Sequence, residues 1–169
     1  GFQPDLVTVA KGIAGGMPVS AVVGRADIMD MSHPGGLGGT FGGSPTAVAA
    51  AVSVMEQFEE GPWLDRAMEI GEIMQEKLDA MVQRYPFLAE RRGRGAMQAL
   101  EVVQPGTLNP DAPLNEEILK ACYQRGVIPL SAGTYGNVIR MLPPLAISNA
   151  LLIEALDVLD SASSDVAAS

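Results

Sequence analysis

Two patterns of apolar and polar positions divide this chain. Leu6 to Ala10 is a short apolar, β-branched run and Ser20 to Val23 is another, bounded by Pro18 and Gly24. Both read as strands, the first of them buried, with a glycine turn between them. Asp27 to Met31 suits a helical turn, whereas Ser32 to Gly39 is too rich in glycine for regular structure and reads as a mobile loop. Ser44 and Pro45 then supply an N-cap and a first-position proline. Behind them Ala47, Val48, Ala51, Val52, Met55 and Phe58 recur at helical spacing as far as Gly61-Pro62, and the alanine density predicts close packing against a sheet.

From Trp63 a long helix carries Leu64, Ala67, Gly71, Met74, Leu78, Met81 and Tyr85 on one stripe until Pro86. Ala96 to Val103 reads as a strand, and Gln104 to Pro113 as a proline-rich loop. Leu114, Ile118, Leu119 and Cys122 mark a helix ended by Gly126, followed by two short strands, Val127 to Leu130 and Asn137 to Leu142. Ser148 caps a last helix holding Leu151, Leu152, Ala155, Leu156 and Leu159; the Ser/Ala/Asp tail from about residue 161 is expected to be disordered. The change of composition puts a domain boundary at Gly61-Pro62. Residues 1–62 then belong to the edge of a larger domain, and residues 63–169 form a small α/β domain joined to it by the long helix.

A hydrophobic content of 47% with few charges describes a globular chain able to bury a core. Eleven basic against twenty acidic residues leave a net charge of −9, which argues against nucleic acid and anionic membranes as partners. Arg91-Arg92-Gly93-Arg94 is the one basic cluster and reads as a solvated or carboxylate-pairing turn; Gly93-Arg94-Gly95 lacks the strand-to-helix setting of a dinucleotide fingerprint. Cys122 is the only cysteine, so no internal disulfide forms, and a reducing, cytoplasmic setting fits. No apolar run reaches the roughly 20 residues that a spanning helix needs. His33 is the only histidine, beside a proline in the glycine loop, so it reads as surface and a metal site is disfavoured.

Three residues remain as candidates for chemistry. Lys11 is delivered to the end of an uncharged strand and followed at once by glycines, at the kind of strand end where ligands collect in open α/β sheets. A lysine amine can condense with an aldehyde and, once released, act as a base; the plain alternative is a lysine snorkelling to water. Thr40 stands between glycines just ahead of a helix start, where a hydroxyl and backbone N–H groups suit a phosphate, or where the hydroxyl merely bonds its own turn. Arg140 interrupts Val138-Ile139 and Met141-Leu142, so its guanidinium needs either a carboxylate ligand or an ion-pair partner in the protein.

These residues lie in three ordered motifs: Ala10-Lys11-Gly12 with Gly16-Met17-Pro18-Val19-Ser20-Ala21, Gly39-Thr40-Phe41-Gly42-Gly43-Ser44-Pro45, and Gly133 to Leu145. The chain resembles the class III pyridoxal-phosphate aminotransferases, and the third motif resembles their 4-aminobutyrate branch. The resemblance implies fold type I, α/β, with the C-terminal part of the large domain followed by the small C-terminal domain. It implies Lys11 as the residue that carries pyridoxal 5'-phosphate and shuttles the proton, and Thr40 as a contact to the cofactor phosphate of a neighbouring subunit. Arg140 would bind the α-carboxylate of an amino-acid or 2-oxo-acid substrate, masked by a glutamate from elsewhere when 4-aminobutyrate is bound. Homodimers, or dimers of dimers, with shared active sites follow from the same resemblance. It further implies that the residues stacking on the pyridine ring and pairing with its nitrogen precede Gly1. The sequence is thus expected to be the C-terminal part of a longer enzyme, inactive alone. Sister activities on ornithine, acetylornithine, diaminobutyrate or aminovalerate are the alternatives.

Overall fold

The structure is a computed structural model and describes residues 2–168. It divides into two compact units, Gly1–Pro62 and Trp63–Ser169.

In the first unit β1 (Leu6–Val9) and β2 (Ala21–Gly24) form an antiparallel ribbon pairing Leu6 with Gly24 and Val9 with Ala21. A 3₁₀ turn, Lys11–Ala14, follows β1, and α1 (Ala26–Met29) follows β2. Helix α2 (Pro45–Glu60) packs on the 3₁₀ turn, and Ala14 and Ala47 are the buried apolar residues there. Small side chains permit that close approach. The strand expected to be buried is open instead, with Leu6 45% and Val7 41% exposed. The larger members of the α2 stripe, Val48, Val52, Met55 and Phe58, are exposed as well. The apolar pattern is that of a layered sheet, but a ribbon of two strands has too little surface to cover these side chains.

The second unit opens with α3 (Trp63–Arg84), followed by β3 (Leu88–Arg94) and β4 (Met97–Val102). Then come α4 (Ala112–Gln124), β5 (Leu130–Ala132), β6 (Val138–Met141) and α5 (Asn149–Ala167). The sheet is antiparallel throughout in the order β3-β4-β6-β5. Leu100, Val102, Ile139 and Met141 point to the face that α3, α4 and α5 cover, and they join Ile70, Met74, Leu78, Ile118, Cys122, Leu152, Leu156 and Leu159 in one core. Asp111 accepts from Leu114 N–H at 3.0 Å and Ser148 from Leu151 N–H at 3.2 Å, capping α4 and α5. No helix among the described residues is long and apolar enough to cross a membrane.

Several expectations need correction. Arg91-Arg92-Gly93-Arg94 is not a turn but part of edge strand β3, although the expected carboxylate pairing is there for two of its arginines: Arg91 with Asp79 of α3, and Arg92 with Glu90 and Glu101. Charged residues suit an edge strand because they discourage further pairing. The strand placed at Val127 to Leu130 begins at Leu130, because Pro129 has no N–H for the ladder. The tail expected to be disordered from about residue 161 is helical to Ala167, with Ala162 and Ser163 buried, while Ser169 lies outside the described residues. Small residues there continue the buried stripe of Leu152, Leu156 and Leu159. On α3, Leu64 is exposed and Ile70 takes a core position in its place.

A methyl group added at Gly71 of α3 would lie 2.6 Å from the Gly95 carbonyl oxygen in the β3–β4 turn. Gly71→Ala should therefore lower stability by about 1 kcal/mol or more, although alanine favours helix by roughly that amount. Denaturant midpoints check this, and a stabilised variant would contradict the close packing. Burial also pushes the Cys122 thiol up to about 11. The unfolded thiol ionises near ~8.5 and the folded one resists, so stability is lost as pH rises from there through about 11. In Cys122→Ala that part of the decline should vanish from urea midpoints measured across the same range.

Candidate active-site residues

Lys11 is the one described non-glycine residue with positive φ, at +61°. Ala10 before it is fully extended, and the chain turns at Lys11 into the 3₁₀ turn closed by Gly15, whose N–H donates to the Gly12 carbonyl at 3.1 Å. A lysine in the left-handed region is costly, and such residues concentrate where function holds them. The Lys11 side chain is exposed and has no hydrogen bond or ion pair with any described residue. A hollow takes in Ala10 and Gly12, on either side of Lys11, together with Val9, Met55 and Phe58. The turn thus presents an uncommitted primary amine at a strand end, next to open space.

Thr40 lies in the turn in which Gly42 N–H donates to the Gly39 carbonyl at 2.9 Å. Its hydroxyl is exposed and engages no described residue, so it does not bond its own turn. Ser44 occupies the N-cap position of α2, but its side chain accepts no bond from the helix. The first-turn N–H groups therefore carry no side-chain cap, and the expected Ser44 cap is positional only. His33 is exposed in the preceding loop, its carbonyl accepting from Gly36 N–H at 2.8 Å.

In the second unit Arg140 sits mid-strand in β6, opposite Ala99 of β4 and Leu130 of β5. Because Ile139 and Met141 point to the helices, Arg140 points away from them and is exposed. It forms no ion pair among the described residues, so the buried-pair alternative does not hold. The cavity beneath the sheet, lined by the apolar side chains of Met74, Met141, Leu142, Leu152 and Leu156 among others, contains none of the three candidates. The sequence reading passed over one polar group on the outward face of the sheet. Glu101 accepts from Asn137 at 3.0 Å and pairs with Arg92. Its signal was a lone carboxylate set between the apolar Leu100 and Val102 in β4, legible as a pairing partner only once β3 is known to be a strand.

The family model of class-III aminotransferases matches residues 1–162. The chain belongs to this family. It is 48% identical over 158 residues to 4-aminobutyrate aminotransferase of Mycobacterium tuberculosis, a match covering 94% of this chain and 35% of that protein. It is 44% identical over 167 residues to 5-aminovalerate aminotransferase DavT of Pseudomonas putida, covering 99% of this chain and 39% of that protein. Among solved structures it is similar to an amine transaminase from an uncultivated Pseudomonas species in its PLP-bound form, with a TM-score of 0.85 and 30% identity, covering 96% of this chain and 39% of that one. This class-III chain thus spans little more than a third of the length of those relatives.

The left-handed backbone at Lys11 makes a stability prediction separate from activity. Lys11→Gly should stabilise the folded chain by about 1 kcal/mol relative to Lys11→Ala, since only glycine adopts that conformation freely. Equal denaturation midpoints for the two variants would contradict the strain.

Proposed function

We propose that this chain is the C-terminal part of a pyridoxal 5'-phosphate-dependent aminotransferase that converts 4-aminobutyrate and 2-oxoglutarate to succinate semialdehyde and glutamate. The observation that carries the reading is the uncommitted amine of Lys11 on its left-handed backbone, in a chain this similar to 4-aminobutyrate aminotransferase of M. tuberculosis. A free amine and an unengaged hydroxyl are the donor set that the aldehyde and phosphate ends of the cofactor require. When bound, pyridoxal phosphate supplies an electron sink for negative charge developing on the substrate carbon.

This chain's residues do the rest. Lys11 Nζ would hold the cofactor at its aldehyde carbon and, as a free amine, would accept the proton lost by the substrate carbon and pass it on to the cofactor's side. The Thr40 hydroxyl and the uncapped N-terminus of α2 bind the phosphate, for which oriented N–H groups are well suited. In this reading the phosphate belongs to a neighbouring subunit's cofactor, so the enzyme works as a homodimer or a dimer of dimers. Arg140, exposed and unpaired, binds the carboxylate next to the reacting carbon of glutamate or 2-oxoglutarate through two parallel hydrogen bonds. The open apolar side chains of the first unit, Leu6, Val7, Met55 and Phe58, and the chain's share of its relatives' length fit a larger enzyme whose remaining residues complete the site. Alone, the chain is expected to be inactive. The buried, free Cys122 suits a cytoplasmic enzyme.

5-Aminovalerate is the second reading, favoured by the P. putida relative that matches 99% of this chain. The two donors differ by one methylene, which a pocket separates by only about 10- to 200-fold. Rates of the full-length enzyme with 4-aminobutyrate, 5-aminovalerate and ornithine decide between them, and preference for ornithine would contradict both. In that enzyme Lys11→Ala should lower kcat by about 10²- to 10⁴-fold or more. Arg140→Ala should lower kcat/KM for 2-oxoglutarate and glutamate by about 10- to 100-fold and leave 4-aminobutyrate little changed. Equal losses for all three would contradict the carboxylate role.

A further inference from the structure

The outward face of the second unit's sheet carries a charge pattern that the reading of Arg140 leaves unexplained. Across β3, β4, β6 and β5 the register sets Arg92, Ala99, Arg140 and Leu130 in one row. The next row is Glu90, Glu101, Val138 and Ala132. Glu101 therefore lies diagonal to two arginines, Arg92 on one side and Arg140 on the other, with only the small Ala99 between them. Diagonal neighbours on one face stand about 7–8 Å apart, within reach of a glutamate and an arginine. By register alone, Glu101 has both arginines available to it.

It pairs with Arg92. One Glu101 oxygen meets Arg92 Nη1, and the other accepts from Asn137 Nδ2 at 3.0 Å. Asn137 is itself buried and also donates to the Val102 carbonyl at 2.9 Å, so its amide is fixed to the β4 backbone. Arg92 Nη1 binds Glu90 at 2.7 Å as well. Burial raises the Glu101 carboxyl, but the hydrogen bond from Asn137 and the Arg92 guanidinium outweigh it and hold the group below the usual carboxylate range. Arg140 has no ion-pair partner among the described residues.

We propose that Arg92 is a specificity-determining positioning residue: by holding Glu101 it keeps that carboxylate off Arg140, so that the Arg140 guanidinium stays open to the carboxylate of a 2-oxo acid or α-amino acid. The proposal rests on the carboxylate-binding reading of Arg140. Without Arg92, Glu90 and Glu101 face each other directly, and Arg140 is the diagonal cation left to Glu101. Glu101 then occupies Arg140 from within the protein and competes with substrate. A donor without an α-carboxylate, such as 4-aminobutyrate, does not need Arg140 and is spared.

The test uses the full-length enzyme, with calorimetric binding of glutarate as an unreactive dicarboxylate probe and KM values for 2-oxoglutarate and 4-aminobutyrate. Arg92→Met should weaken glutarate binding and raise KM for 2-oxoglutarate by roughly three- to tenfold, with KM for 4-aminobutyrate within about twofold of its original value. Adding Glu101→Gln to Arg92→Met should restore both constants, and Arg92→Lys should largely preserve them. Unchanged glutarate affinity in Arg92→Met, an equal rise in both KM values, or a double variant as weak as the single one overturns the proposal. Arg140→Ala serves as the reference. If it loses glutarate while Arg92→Met does not, only the role of Arg92 fails; if it binds glutarate normally, the carboxylate reading beneath it fails too.

Discussion

The two-residue period of the four-stranded sheet is the constraint on which the second unit depends. Side chains of a strand alternate between faces, so burying Ile139 and Met141 against the helices forces Arg140 onto the opposite face. The same rule on β4 sends Leu100 and Val102 inward and leaves Ala99 and Glu101 outward, opposite Arg140 and Val138. A slip of one residue would drive a guanidinium into an apolar core and expose two core side chains. The hydrophobic drive that folds the unit thus also fixes which charges share its outer face. Burial of a side chain such as Ile139 contributes roughly 1.5–3 kcal/mol, more than any ion pair on that exposed face.

The first unit depends on a local conformation that works against its own residue. A lysine at positive φ is less stable there than glycine, and it persists because the flanking elements determine the path. The β1–β2 ribbon fixes the approach, and the packing of α2 on the 3₁₀ turn, with Ala14 buried, fixes the exit. An amine with no ion-pair partner then projects from a hydrogen-bonded 3₁₀ turn that packs against α2. That arrangement suits a group that has to be positioned and also chemically free. Thr40 ahead of α2 follows similar logic, since a hydroxyl outside the turn's own hydrogen bonds remains available to a ligand.

The helices were the most legible part of the sequence because their signals are local. A 3.6-residue stripe from Ala67 to Tyr85 and a cap at Ser148 need no knowledge of partners. Strands were less so. Three arginines within β3 gave no apolar alternation to read, and the pairing partners Asp79, Glu90 and Glu101 account for two of them, Arg91 and Arg92. Val127 to Pro129 has the composition of a strand, yet the missing N–H of Pro129 delays pairing to Leu130. The polar tail misled because Ser163 buries its hydroxyl by donating to the Leu159 carbonyl at 2.9 Å within the helix. Lys11, Thr40 and Arg140 stood out as isolated polar groups in apolar or glycine-rich settings. The left-handed turn at Lys11 was not legible, since lysine carries no preference for it, and the freedom of Arg140 depended on a strand order that no local pattern encodes.

The central claim is that Lys11, alone of the chain's lysines, is placed to carry the cofactor. The most direct measurement is borohydride reduction of the full-length enzyme with pyridoxal phosphate, followed by peptide mass mapping. Lys77 is paired with Asp157 and Lys120 lies on α4, so the account predicts one modified peptide, containing Lys11, with both other lysines unmodified. Modification at Lys77 or Lys120 in place of Lys11, or no modified peptide from an enzyme that turns over, would contradict it.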